Sequence, residues 1–235
     1  MQWLWPVCST LPAAGNIFGQ HPERGAISLS TENMGINIII TGVGGQGNVL
    51  AAKLLATAGL EAGWEVTVGD VFGLTQRGGS VASHVRLFKG YLLPPLIPCR
   101  SLDILVAFEP LEALRILTQF GRETTRAIIN DQPVWPIGVQ AGRFQYPEAQ
   151  ELHSAIENLT SKTAFINATR VAKELGNIQV LNMVMLGALY GSGWIPLSPR
   201  TFESIIQSST SSQLRGLNIK AFRRGLKLKG SNLHI

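Results

Sequence analysis

Cysteine is nearly absent. The 235 residues hold two, Cys8 and Cys99. Two thiols cannot ligate a 4Fe–4S cluster, which needs four thiolates. With no CxxC spacing, a structural zinc site is not expected either. So few cysteines suit a cytoplasmic protein. The four histidines, His21, His84, His153 and His234, are scattered without metal-ligand spacing, so this chain is expected to hold no metal. Long apolar runs are missing as well. The best candidate, Met183 to Ile195, is short and broken by three glycines, so no transmembrane helix and no membrane partner are expected. No G-x-S-x-G elbow occurs. Charge is sparse, at 15% of residues, with a net +5. The basic residues gather only near the C-terminus, at Lys220, Arg223, Arg224, Lys227 and Lys229. They form either a solvated helix face or a face for an acidic partner. No nucleic-acid motif accompanies them, so no nucleic-acid partner is expected.

Hydrophobic residues, at 45%, are plentiful enough for a packed core. Residues 1–33 show no hydrophobic periodicity, no basic n-region and a proline at position 6. They read as a tail outside the fold or an over-extended start, with Met34 the expected beginning. The single domain is expected over residues 34–229. Its first strand is "INIII" (Ile36–Ile40), an unbroken apolar run of the kind covered on both faces. A helix follows over Gly47–Ala62. "WEVTVGD" is a second strand ending at Asp70, and "SVASHVRLF" the next. "LDILVAF", "AIIN" and "TAFINA" complete the strands. Helices are expected at "EPLEALRILTQFG", at Glu148–Leu159 and in four stretches after Thr169, including a continuous one over Ile178–Leu189. Alternating strands and helices predict a Rossmann-like α/β fold. Its sheet is expected to be doubly wound and mostly parallel, with a helical C-terminal part.

The turn after the first strand is "GVGGQG". Gly42, Gly44 and Gly47 fit G-x-G-x-x-G, with Gly45 and Gln46 between them. The first glycine permits a tight turn, the second a close approach of ligand to backbone, the third close helix–strand packing. Free N–H groups at the helix start favour an anion. A packing role alone remains open. Asp70, near the end of strand two, keeps a stand-alone NAD(P)-binding dehydrogenase in view. Against that stands "FGLTQRGGS", with Gln76, Arg77, Gly78, Gly79 and Ser80 where a short ribose-facing loop is expected. Gly78 and Gly79 can form an anion-binding concavity beside Arg77, or an ordinary surface turn. The two glycine-bearing loops could face one another across the strand tips. Glu109 and Glu112 lie in the first turn of a helix, where carboxylates favour the dipole; the alternative is that Glu109 reaches a ligand. His84 reads as a satisfied core or edge histidine.

Five segments in order, "GVGGQG", "QRGGSVASHVR", "LVAFEPLEALR", "GNIQVLNMVMLGAL" and "NIKAFRRG", resemble the gamma domain of 2-oxoacid:ferredoxin oxidoreductases. "VGDVFGLTQRGGSV" and "NIKAFRRG" are most similar to the indolepyruvate branch, in its beta-subunit form. The resemblance implies a division of labour. Thiamine diphosphate, Mg and 4Fe–4S clusters belong on a large alpha subunit. Decarboxylation of an aryl pyruvate delivers electrons to ferredoxin and an acyl group to coenzyme A. This chain alone is then inactive and holds no cofactor. Gly42, Gly44, Gly45, Gln46, Gly47, Gln76, Arg77, Gly78, Gly79 and Ser80 line the side where coenzyme A or a facing partner loop enters. Arg77 is the residue expected to meet an anion, and Arg86 a second if its side of the strand is open. Two positions depart from the family: Asp70 replaces a glutamate, and Asn167 an aspartate. A binding module with no enzymatic partner is the third reading.

Overall fold

A computed structural model of the protein describes residues 35–73, 79–90, 93–135, 139, 142 and 145–228. The N-terminal tail therefore lies outside the described residues, as do Gln76, Arg77 and Gly78 of the second loop.

Six strands form one sheet among the described residues: β1 (Gly35–Val43), β2 (Glu65–Phe72), β3 (Ser80–Phe88), β4 (Ile104–Ala107), β5 (Arg126–Asn130) and β6 (Lys162–Ile166). Their order is β2-β3-β1-β4-β5-β6. β1, β4, β5 and β6 pair in parallel. β3 is antiparallel to both β1 and β2. The helices are α1 (Asn48–Glu61), α2 (Pro110–Phe120), α3 (Ala149–Glu157), α4 (Ala168–Glu174), α5 (Leu181–Gly191), α6 (Pro199–Ser209) and α7 (Ser212–Leu226).

Apolar cores lie on both faces of the sheet. Ile38 and Ile40 point to one side, with α1, α4, α5, α6 and α7. Ile39 points to the other, with α2 and α3. All three isoleucines are fully buried, each contributing about 1.5–3 kcal/mol of transfer free energy. The unbroken run "INIII" is thus explained by burial on both faces rather than one.

α5 is the buried hub. Every residue from Leu181 to Tyr190 is buried. It meets α7 at glycines: a Cβ on Gly225 would lie 2.2 Å from the Val184 carbonyl oxygen, and one on Gly187 2.2 Å from that of Phe222. Beside this seam, the rings of Tyr190, Phe202 and Phe222 pack within 4.8–5.4 Å of one another.

Several sequence expectations shift. Strand two runs on to Phe72 instead of ending at Asp70. The expected continuous helix from Ile178 begins as a 3-10 turn, Ile178–Val180, capped by the Asn177 side chain, which accepts the Gln179 amide at 2.9 Å. Asn167 needs no charge to do its work here. Its Oδ1 accepts the Arg170 amide at 2.9 Å and caps α4.

Candidate functional site

The "GVGGQG" turn lies at the tips of the parallel strands, in the region where ligands of open α/β sheets bind. Gly47 caps α1 in the left-handed region, at φ 86°. A side chain there would be strained, and its Cβ would lie 2.9 Å from Asn182 Nδ2. At Gly42 the constraint is space. A Cβ would sit 2.5 Å from Gln46 Oε1 and 2.8 Å from Phe108 Cβ. Gly45, exposed and at φ 102°, has open space before it.

The Gln46 side chain is engaged at both its polar atoms within the fold. Its Oε1 accepts the Val43 amide at 2.7 Å, and its Nε2 donates to the Phe108 carbonyl at 3.3 Å. The side chain folds under its own loop and ties the tip of β1 to that of β4. Asn130 extends the brace. It donates to the Phe108 carbonyl (3.1 Å) and Thr169 Oγ1 (2.9 Å), and accepts the Thr169 amide (3.1 Å). Three strand tips and the start of α4 are thereby held in one arrangement.

The two glycine loops do meet. The Gly44 amide donates to the Gly79 carbonyl at 2.9 Å. Next to it, the Gly73 amide donates to the Ser80 carbonyl at 2.7 Å. Gly42, Gly44, Gly45, Gly47, Gly79 and Ser80 are thus gathered at one end of the sheet.

Beyond the turn, a cleft of 610 Å³ opens from Gly45–Gly47 to the 3-10 turn and α7, within the usual size range of small-molecule sites. Gln132, Thr169, Lys173, Gln179 and Asn182 supply its polar lining, and Leu50, Ile178 and Leu214 an exposed apolar part. Lys173 is its single charged residue among the described residues. Motif reading missed most of the polar groups because Thr169, Lys173, Gln179 and Asn182 come from α4, the 3-10 turn and α5, far from the glycines in sequence. The helical spacing there signals core, not cleft.

Below the loop junction lie two enclosed acids. Glu109 is the N-cap of α2: its Oε2 accepts the Glu112 amide at 2.8 Å, and Tyr146 donates its hydroxyl to Oε1. The structural reading of Glu109 therefore holds. Burial raises its pKa above the usual carboxylate range, opposed by the Tyr146 bond and the Glu112 amide. Burial also raises Glu112, opposed by Arg115 at 2.9 Å and the Ser80 hydroxyl. Tyr146, itself pushed up by burial and by Glu109, comes from a proline-studded segment with no motif to announce it.

Three other sequence candidates are spent on the fold. Arg86, 8% exposed, donates to Asn37 Oδ1 and the Pro94 carbonyl, both at 2.9 Å. Its side of the strand is closed, so it is not an anion site. His84 is buried and accepts the Ile97 amide at 3.1 Å, as a core histidine should. Burial lowers its pKa to about 4, Asp70 opposing and Arg86 assisting. Asp70 cannot play the ribose-binding part. β3 separates its strand from β1, displacing it by roughly another 4.8 Å strand spacing. Its Oδ1 accepts the Ser83 hydroxyl at 2.5 Å.

Of the C-terminal bases, Arg223 grips Glu203 at 2.7 and 2.8 Å, and Arg224 meets Glu174 at 3.0 Å. Those two serve to pin α7. Among the described residues no group of three or more His, Cys, Asp or Glu side chains could hold a metal ion, and no helix is long and apolar enough to cross a membrane.

An α/β sheet with paired glycine loops at its strand tips, one antiparallel strand inserted beside β1 and a helical C-terminal half defines the class of protein. The chain belongs to the pyruvate ferredoxin/flavodoxin oxidoreductase family, whose sequence model matches residues 37–228. It is 35% identical over 192 residues to the indolepyruvate oxidoreductase subunit IorB of Archaeoglobus fulgidus, covering 82% of this chain and 94% of that one. The Thermococcus kodakarensis IorB is 37% identical over 192 residues, covering 81% and 94%. Among solved structures, a 2-oxoglutarate:ferredoxin oxidoreductase from Magnetococcus marinus, with 2-oxoglutarate, coenzyme A and succinyl-CoA bound, shares the fold. Its TM-score is 0.62 at 22% identity, covering 85% of this chain and 32% of that one. The chain is therefore a subunit of a 2-oxoacid:ferredoxin oxidoreductase.

Proposed function

We propose that this chain completes an active site shared with a larger alpha subunit, and that its two glycine loops form the wall met by coenzyme A. The observation carrying this reading is the Gly44–Gly79 hydrogen bond, which sets both loops side by side at the start of α1. Coenzyme A is a polyanion. Unpaired amides at a helix start and a partial positive charge favour its phosphates. Lys173, exposed in the adjoining cleft, adds a cation. Arg77, outside the described residues, is the proposed bidentate partner.

The decarboxylation chemistry belongs to thiamine diphosphate with Mg, and electron transfer to ferredoxin belongs to 4Fe–4S clusters. Both are assigned to the partner. The donor set here supports that division, since two cysteines in the whole chain cannot ligate a 4Fe–4S cluster. The residues of this chain bind, orient and exclude water at the coenzyme A side. Aryl pyruvates such as indolepyruvate are the proposed substrates, as the names of the relatives suggest. Residues 34–229 are proposed as one domain, working in the cytoplasm.

The test is Arg77→Ala in the enzyme assembled with its large subunit. The KM for coenzyme A should rise about tenfold, the effect of losing about 1.4 kcal/mol of charge-assisted binding. An unchanged KM and kcat would falsify the role of Arg77. The stand-alone dehydrogenase reading loses its acidic anchor with Asp70 two strands from β1.

A further inference from the structure

The Gly79–Ser80 peptide is the hinge-pin of the loop junction. Its first carbonyl holds the Gly44 amide and its second the Gly73 amide. Glu112, in the first turn of α2 and 4% exposed, lies below. One of its carboxylate oxygens binds Arg115 at 2.9 Å. The other, Oε2, is enclosed and makes no hydrogen bond among the described residues. An enclosed acceptor left in that state is costly unless it serves something. Ser80 shares a face of β3 with Ala82, two residues on, and Ala82 packs with Ala113 of α2; its hydroxyl favours the charged form of this carboxylate. Glu109 cannot substitute, because both its oxygens are engaged by Tyr146 and the Glu112 amide.

We propose that Glu112 is a positioning residue for the paired glycine loops: its free oxygen takes the Ser80 hydroxyl and so fixes the Gly79–Ser80 peptide against Gly44. The titratable and charged groups facing it are Glu109, on the same turn, and Arg115, one turn on. Tyr146 lies behind Glu109. Glu112 acts through Ser80 and touches no substrate.

Two readouts test this. The first is amide exchange in the full chain. Ser80→Ala and Glu112→Ala should each speed exchange at Gly44 and Gly73 at least about tenfold, leaving Ile39 and Leu105 in the sheet unchanged. Glu112→Gln keeps an acceptor oxygen and should fall between these and the parent. The second is steady-state kinetics of the enzyme assembled with its large subunit. Here the KM for coenzyme A should rise several-fold in Ser80→Ala and Glu112→Ala, and more than kcat falls; this readout rests on the reading of the loops proposed above.

Unchanged exchange at Gly44 and Gly73 in Ser80→Ala would overturn the proposal. So would faster exchange throughout the sheet with kcat falling as far as KM rises, the signature of a merely structural acid. Faster exchange confined to the two glycines, with an unchanged coenzyme A KM in these variants and in Arg77→Ala, would support the positioning role and overturn the coenzyme A reading instead.

Discussion

At the scale of single residues, the polar groups inside this protein do three different jobs. Gln46 and Asn130 brace strand tips, Glu109 caps a helix, and His84 fills a core position with one accepted hydrogen bond. His84 makes a pH prediction. Its folded pKa is lowered to about 4 from an ordinary 6.5. As pH falls below 6.5 the unfolded chain takes the proton while the fold refuses it, so stability is lost down to about pH 4 and then levels. His84→Gln should remove that loss. Between pH 7 and pH 4 its melting temperature should move in its favour relative to the parent; parallel curves would contradict the assignment.

The roles of these residues were unequally legible in the sequence. Glu109 as a cap and His84 as a core residue follow from position alone. The brace made by Gln46 was not legible, because a motif position says nothing of where a flexible amide folds. Arg86 was left open for the same reason. Nothing local to Tyr146 or Lys173 marks them, since Tyr146 reaches Glu109 and Lys173 shares a cleft with the glycine turn only across long sequence separations.

At the scale of elements, the glycines of the C-terminal half matter as much as those of the turn. Gly187 and Gly225 let α5 and α7 approach until backbone meets backbone. Gly225→Ala puts a methyl 2.2 Å from the Val184 carbonyl oxygen, where no flexible side chain can yield. The expected cost is about 1–3 kcal/mol, read as a lower denaturation midpoint with an unchanged slope. A midpoint equal to that of the parent would show that the helices can separate freely.

Element types and most boundaries were readable from periodicity and caps, since Pro110, Gly63 and "INIII" carry local signals. Pairing was not. Nothing in "SVASHVRLF" says that it inserts antiparallel between β1 and β2, because its two buried faces suit either direction. That single insertion moves Asp70 from a ribose-binding position to a hydrogen bond with Ser83.

At the scale of the whole molecule, the chain is a subunit. The strand-tip loops are braced from beneath by Gln46 and Asn130, and an apolar-edged cleft opens beside them. In the function proposed above, the groups doing the bond-breaking chemistry belong to the partner. Preorganised loops suit a wall that a partner closes, since little ordering entropy remains to be lost when the site assembles.

The most direct measurement is reconstitution: reduction of ferredoxin by indolepyruvate and coenzyme A, assayed with this chain alone, with the purified large subunit alone, and with both. Activity is expected only, or at least about tenfold more, in the mixture, with a coenzyme A KM that rises in the Arg77→Ala chain. A large subunit fully active by itself, or a lone chain that oxidises its substrate with NAD, would contradict that expectation.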